Sequence, residues 1–197
     1  MEPKVTGYIT ANAGYIQNAA KDNIGVITGG AGVKAESDKY EFFAEGGYGN
    51  AVYTKAEGGA KFPFQESNFG VKTSVGVQYA QLTKSRDYYK NIFEEGANSP
   101  SWKPNDLRGY GQVALTYNTP SFKASVGIRG GVKTCTQAPL DGVNLAPVGN
   151  IEGTEYAGRT TKGFVSPVIE LEAGKKVCLS LKTSLLDDIS IGGKIYF

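Results

Sequence analysis

A chain of 197 residues is long enough for one sizeable domain, and its 27 glycines and 12 tyrosines against a single methionine favour close-packed strands over helices. The net charge of +2 excludes a dedicated nucleic-acid binder, and no apolar run reaches the roughly 18 residues of a transmembrane helix. The absence of histidine removes the commonest general base, any Ser–His nucleophile and any histidine metal site.

Ten segments alternate with the period of two that a β-strand imposes. The first five span 5–15, 24–36, 39–48, 52–62 and 69–81, and the second five span 107–117, 122–133, 163–173, 177–185 and 189–197. Most run 9 to 13 residues, long for a soluble strand and right for a tilted strand that crosses a membrane. The pattern predicts an all-β, antiparallel up-and-down transmembrane β-barrel of about ten strands. Eight is the alternative count, and 1–197 forms one domain. Glu2, Pro3 and Lys4 lead straight into the first segment, so an exported protein of this kind is expected to have lost a signal peptide ahead of Met1.

The links alternate in length. Those at 37–38, 63–68, 118–121 and 174–176 are short, with turn chemistry at Ser37-Asp38, Asn118-Thr119-Pro120 and Gly174. Those at 82–106 and 134–162 are long, and 16–23 is intermediate. Long loops on one side and short turns with both termini on the other make the arrangement of an outer-membrane barrel. The links at 49–51 and 186–188 are short exceptions on the loop side.

Each segment has one face free of charge, as the cost of a lipid-facing Lys or Arg requires, roughly 2–4 kcal/mol at mid-bilayer. Aromatics on that face gather at the strand ends. Tyr40, Phe62, Phe69, Tyr117, Phe122 and Phe197 mark the short-turn end, and Tyr15, Tyr48 and Tyr79 the long-loop end, as two membrane girdles. The other face carries six glutamates, Glu36, Glu41, Glu45, Glu57, Glu170 and Glu172. They face ten cations, Lys34, Lys55, Lys61, Lys72, Arg108, Lys123, Arg129, Lys133, Lys182 and Lys194. Alternation does not say which face points inward: a soluble lipocalin-like barrel would put the apolar face inside.

The last segment, Ile189 to Phe197, places Ile189, Ile191, Ile195 and Phe197 on one face and ends on an aromatic residue. It resembles the final strand of bacterial outer-membrane β-barrels, in which a terminal Phe is the address read by the assembly machinery. Ile195 stands where that family usually shows an aromatic residue. The resemblance implies a bacterial outer-membrane location and contact with outer-membrane lipid, lipopolysaccharide and the barrel-assembly machinery. Among barrels of about ten strands it leaves porin-like and Opc-type adhesin-like proteins. Omptin proteases need an Asp–His pair that this chain cannot supply, and the phospholipase and lipid A enzymes of that membrane also rely on histidine.

With the charged face inward, the bore is narrow and its charges must pair or hydrate. The expected network sets Glu41, Glu45, Glu57, Glu170 and Glu172 against Lys55, Lys61, Lys72, Arg108, Arg129 and Lys182. Such a network fills and stiffens the lumen, or lines a narrow pore that favours anions. Function is then expected on the loops. The 82–106 loop carries Tyr88, Tyr89, Phe93 and Trp102 with balanced charge, which suits binding to a sugar or protein surface. A surface ligand or a larger envelope complex is the implied partner. No enzyme activity, cofactor, metal or nucleic-acid partner is expected, and a carboxylate-only site at Glu41/Glu45 or Glu170/Glu172 is less plain than lumen pairing. Gly109-Tyr110-Gly111-Gln112-Val113-Ala114 matches a loose dinucleotide fingerprint but continues the strand alternation, and no helix follows. Cys135 and Cys178 fall at opposite ends of the barrel, too far apart for a disulfide.

Overall fold

The computed structural model describes residues 3–21, 23–84, 86–87, 101–136, 159–184 and 188–197. Ten long antiparallel strands close into one barrel. They are β1 (Lys4–Gln17), β2 (Asn23–Glu36), β3 (Tyr40–Gly49), β4 (Ala51–Pro63), β5 (Phe69–Leu82), β8 (Asn105–Asn118), β9 (Phe122–Thr136), β10 (Arg159–Gly174), β11 (Val177–Ser184) and β12 (Asp188–Tyr196). Two short strands, β6 (Arg86–Asp87) and β7 (Ser101–Trp102), pair with each other inside the β5–β8 connection. Every barrel strand pairs with its neighbours in sequence around the ring, and β1 closes on β12 from Tyr8↔Tyr196 to Ile16↔Asp188. The count is therefore ten, not the alternative eight. At the seam the amide of Phe197 donates to the Gly7 carbonyl at 3.1 Å.

The strands outrun their sequence expectation mainly on the loop side. β10 starts at Arg159 rather than 163 and β8 at Asn105 rather than 107, so Asp106 belongs to the barrel wall and not to the loop. The added residues carry ladder hydrogen bonds that a polar, non-alternating composition does not announce. On the turn side the ends coincide closely, because Ser37, Asn118 and Gly174 stop the alternation there.

The apolar face points outward. Val75, Val165, Leu179 and Ile191 are exposed, while the charged face turns into the lumen. This excludes the lipocalin-like arrangement, in which the apolar face would be the buried one. A contiguous apolar wall around a closed sheet has no place in water, and closure leaves no unpaired strand edge among the ten. The protein is a membrane-spanning β-barrel. All nine expected girdle aromatics lie on the outer face: Tyr15, Tyr40, Tyr48, Phe62, Phe69, Phe122 and Phe197 are exposed, and Tyr79 and Tyr117 half-buried. Phe69, Tyr117 and Phe122 form a continuous piece of the turn-side girdle, with ring centroids 4.9 and 6.5 Å apart. Cys135 and Cys178 are both buried, at the loop end of β9 and the turn end of β11, and form no disulfide with each other.

Candidate functional site: the charged lumen

The lumen is layered. At its turn-side mouth Lys34, Lys61, Lys72 and Lys123 surround Glu36 and Glu41. Lys34 stands 2.9 Å from Glu36 and 3.1 Å from Glu41, Lys72 lies 2.8 Å from Glu41, and Lys123 lies 3.5 Å from Glu36. Lys61 also pairs with Glu36 and donates to the Ser37 carbonyl at 3.1 Å. Ladder geometry explains the cluster: Lys34, Glu36 and Glu41 face inward on β2 and β3, joined by a tight turn, so their side chains share one patch of wall.

The middle layer is a buried network. Glu57 stands 3.0 Å from Lys72 and 3.5 Å from Lys55 and accepts from the Tyr110 hydroxyl at 2.8 Å. Glu45 stands 3.4 Å from Lys194 and accepts from the Tyr8 hydroxyl at 2.9 Å. Arg129 reaches Glu170 at 3.2 Å and donates to Gln112 at 3.0 Å, and its guanidinium lies over the Tyr110 ring. Two crosspieces repeat here. Tyr8, Gly32 and Glu45 are register partners across β1, β2 and β3, and Tyr110, Gly76 and Glu57 across β8, β5 and β4. In each, the tyrosine lies over the glycine to reach the glutamate. A Cβ on Gly76 would meet the Tyr110 hydroxyl at 2.5 Å, and one on Gly32 the Tyr8 hydroxyl at 2.5 Å. Close approach of a ring is the reason for glycine at both places.

The loop-side layer is spanned by Arg108 and by the start of the β1–β2 link. Arg108 is fully buried. It donates to Asp106 at 2.7 Å, to Asp188 at 3.1 Å and to the Gln17 carbonyl at 3.3 Å. Lys133 donates to the same carbonyl at 3.1 Å. Gln17 ends β1, and β8 is the strand diametrically opposite β1 in the ring. The start of the β1–β2 link thus crosses the mouth and is held on the far wall. Asn18 and Ala19 are wholly buried there, and Asn18 donates to the Asn105 carbonyl at 3.3 Å. Beneath it the lumen is apolar on one side, where Ile16, Ile24, Val26, Ala51 and Ala80 pack with Tyr53 and Leu82.

The structure brings together most of the sequence-predicted lumen residues: Glu41, Glu45, Lys55, Glu57, Lys61, Lys72, Arg108, Arg129 and Glu170 all enter ion pairs, with Asp106 and Asp188 as the partners of Arg108 among the described residues. Glu172 instead accepts from the Tyr196 hydroxyl at 3.4 Å, and Lys182 lies over the Phe43 ring at 5.1 Å. Sequence reasoning missed Asp106 and Asp188, which lay in expected links. It also missed the lumen aromatics Tyr8, Phe43 and Tyr110, although Phe43 stands in phase with Glu41 and Glu45 and Tyr110 with Arg108; the segment 5–15 around Tyr8 carries no charge to mark its inner face. Tyr88, Tyr89 and Phe93 lie outside the described residues, as does the side chain of Trp102. Gly109–Ala114 lies within β8, as strand.

No protein-family model matches the chain, and no curated protein matches it. Among solved structures it is similar to the N-terminal β-barrel domain of Pseudomonas aeruginosa OprF, at 12% identity and a TM-score of 0.40 over all of both chains. It is also similar to CymD, a monoaromatic hydrocarbon channel, at 10% identity and a TM-score of 0.36, over 100% of this chain and 70% of that one. A third is the toluene transporter TodX of P. putida, at 9% identity and a TM-score of 0.28, over 98% of this chain and 66% of that one. The membrane-barrel fold rests on this chain's own closed register and apolar wall.

Proposed function

We propose that this protein is a non-enzymatic β-barrel of a bacterial outer membrane, with a closed lumen that stiffens the wall and long loops that bind at the cell surface. The observation that carries the reading is the closure of the loop-side mouth by Gln17, Asn18 and Ala19, held on Arg108, Lys133 and Asn105 of the opposite wall. A bore filled by paired side chains passes little, so the work falls to the connections. The lack of histidine supports the non-enzymatic reading. Outer-membrane lipid and lipopolysaccharide would contact the girdles, and the barrel-assembly machinery β12 and the exposed Phe197 that follows it.

The loop reading has a direct test. Cells displaying the protein are compared with cells displaying a variant that carries Tyr88→Ala, Tyr89→Ala and Trp102→Ala, for adhesion to arrayed glycans and matrix proteins. Lost adhesion with an unchanged heat-shift on gels supports the reading, and equal adhesion contradicts it.

A second reading, a small anion-favouring pore, is favoured by the excess of lumen cations. Changing Arg108 and Arg129 together to Glu would reverse ion preference if that reading holds, and an unchanged preference would count against it.

A further inference from the structure

We infer that the turn-side cavity of the lumen binds one small anion, through a carboxylate or phosphate group held by the ammonium groups of Lys182 and Lys194. The inference is independent of what the loops bind. The cavity measures about 310 Å³ and opens among the short turns, with Ser67, Asn68 and Asn118 at its edge and Tyr8, Phe43 and Lys194 at its depth.

Charge is unevenly balanced at that depth. Three ammonium groups converge on one ring: Lys182, Lys55 and Lys194 stand 5.1, 5.2 and 5.7 Å from the centroid of Phe43. The nearby carboxylates are already engaged. Glu45 serves Tyr8 and Lys194, Glu57 serves Tyr110, Lys55 and Lys72, and Glu170 serves Arg129 and Ser125. Lys182 forms no ion pair with any carboxylate among the described residues, although both it and Lys194 line the cavity. A ring face softens a cation without neutralising it. Lys182 stands opposite Glu170 in the β10–β11 register, but Glu45, Glu57 and Glu170 together face Lys55, Lys182, Lys194 and Arg129, one cation more than they can offset, and an anion entering from the turn side balances that excess. The mouth also holds more cations than carboxylates, with Lys34, Lys61, Lys72 and Lys123 around Glu36 and Glu41, but each of those lysines lies within ion-pair distance of a glutamate, as Lys182 does not among the described residues. Glu172, nearer the mouth on Tyr196, disfavours ligands that carry a second negative charge at their outer end.

The test is isothermal calorimetry on the refolded full chain, in buffer free of phosphate and carboxylates, with inorganic phosphate and butyrate as probes and butanol as the neutral control. At least one anion should bind saturably near one per chain, and butanol should not. Lys182→Met should weaken that binding by about tenfold or more, the scale of one engaged charge. Lys39→Gln, on an exposed turn outside the cavity, should leave it unchanged. Binding of phosphate alone assigns a phosphoryl group and binding of butyrate alone a carboxylate. Should Lys182→Met fail the heat-shift gel, Lys194→Gln is read in its place by the same criterion. No saturable heat with either anion, or equal affinity in the lysine variant, overturns the inference.

Discussion

At the scale of single residues the lumen is built from reach. Tyr110 spans Gly76 to donate to Glu57, and Tyr8 spans Gly32 to donate to Glu45. Tyr110→Phe should cost about 1 kcal/mol, since Glu57 keeps its two lysines. Gly76→Val should cost more, roughly 1–3 kcal/mol, because the added carbons displace the ring itself. Urea titration of folding in lipid vesicles measures both, and an order reversed from this one would show that the ring does not need the glycine. Arg108→Ala strands the buried Asp106 and should cost about 3–5 kcal/mol in the same assay. These contacts were only half legible in the sequence. Alternation shows that Tyr8 and Glu45 face the same way, but a period of two holds no information about which side chains meet across three strands. Asp106 and Asp188 were hidden for another reason: each sits at a strand end, where the alternation that identifies a strand has already faded.

At the scale of elements the sequence was far more explicit, because lipid punishes errors strand by strand. All ten segments are strands, and the uncharged face of each is the outer one. The solvent that each face meets is what composition records, and in a membrane the two solvents differ sharply. Val75, in the middle of β5 and 69% exposed, faces mid-bilayer on this account. Val75→Lys should destabilise by roughly 2–4 kcal/mol, whereas Val177→Lys, at the turn end of β11, should cost about 0–1 kcal/mol. Equal costs at the two positions in vesicle-folding titrations would remove the membrane axis inferred from the girdles. What the elements did not disclose is the path of their connections. The 16–23 link looked like an ordinary loop of intermediate length, yet its start is drawn across the mouth by Arg108 and Lys133. Nothing local to residues 16–23 encodes partners on β8 and β9.

At the scale of the whole molecule, the lumen has two unlike ends. The turn side opens into a cavity, while the loop side is crossed by a backbone segment held on the far wall. On the proposed function, this crossing, more than the count of paired charges, is what makes the barrel a carrier of loops and not of solutes. It depends on few contacts, so a variant that removes both grips, Arg108→Ala with Lys133→Ala, should conduct if it folds. The most direct measurement is the single-channel conductance of the unmodified, detergent-refolded protein in a planar bilayer, with a heat-shift gel to show that it folded. The account predicts folded protein that is electrically silent. Discrete steps favouring anions from the same folded protein would contradict it and make the lumen a pore.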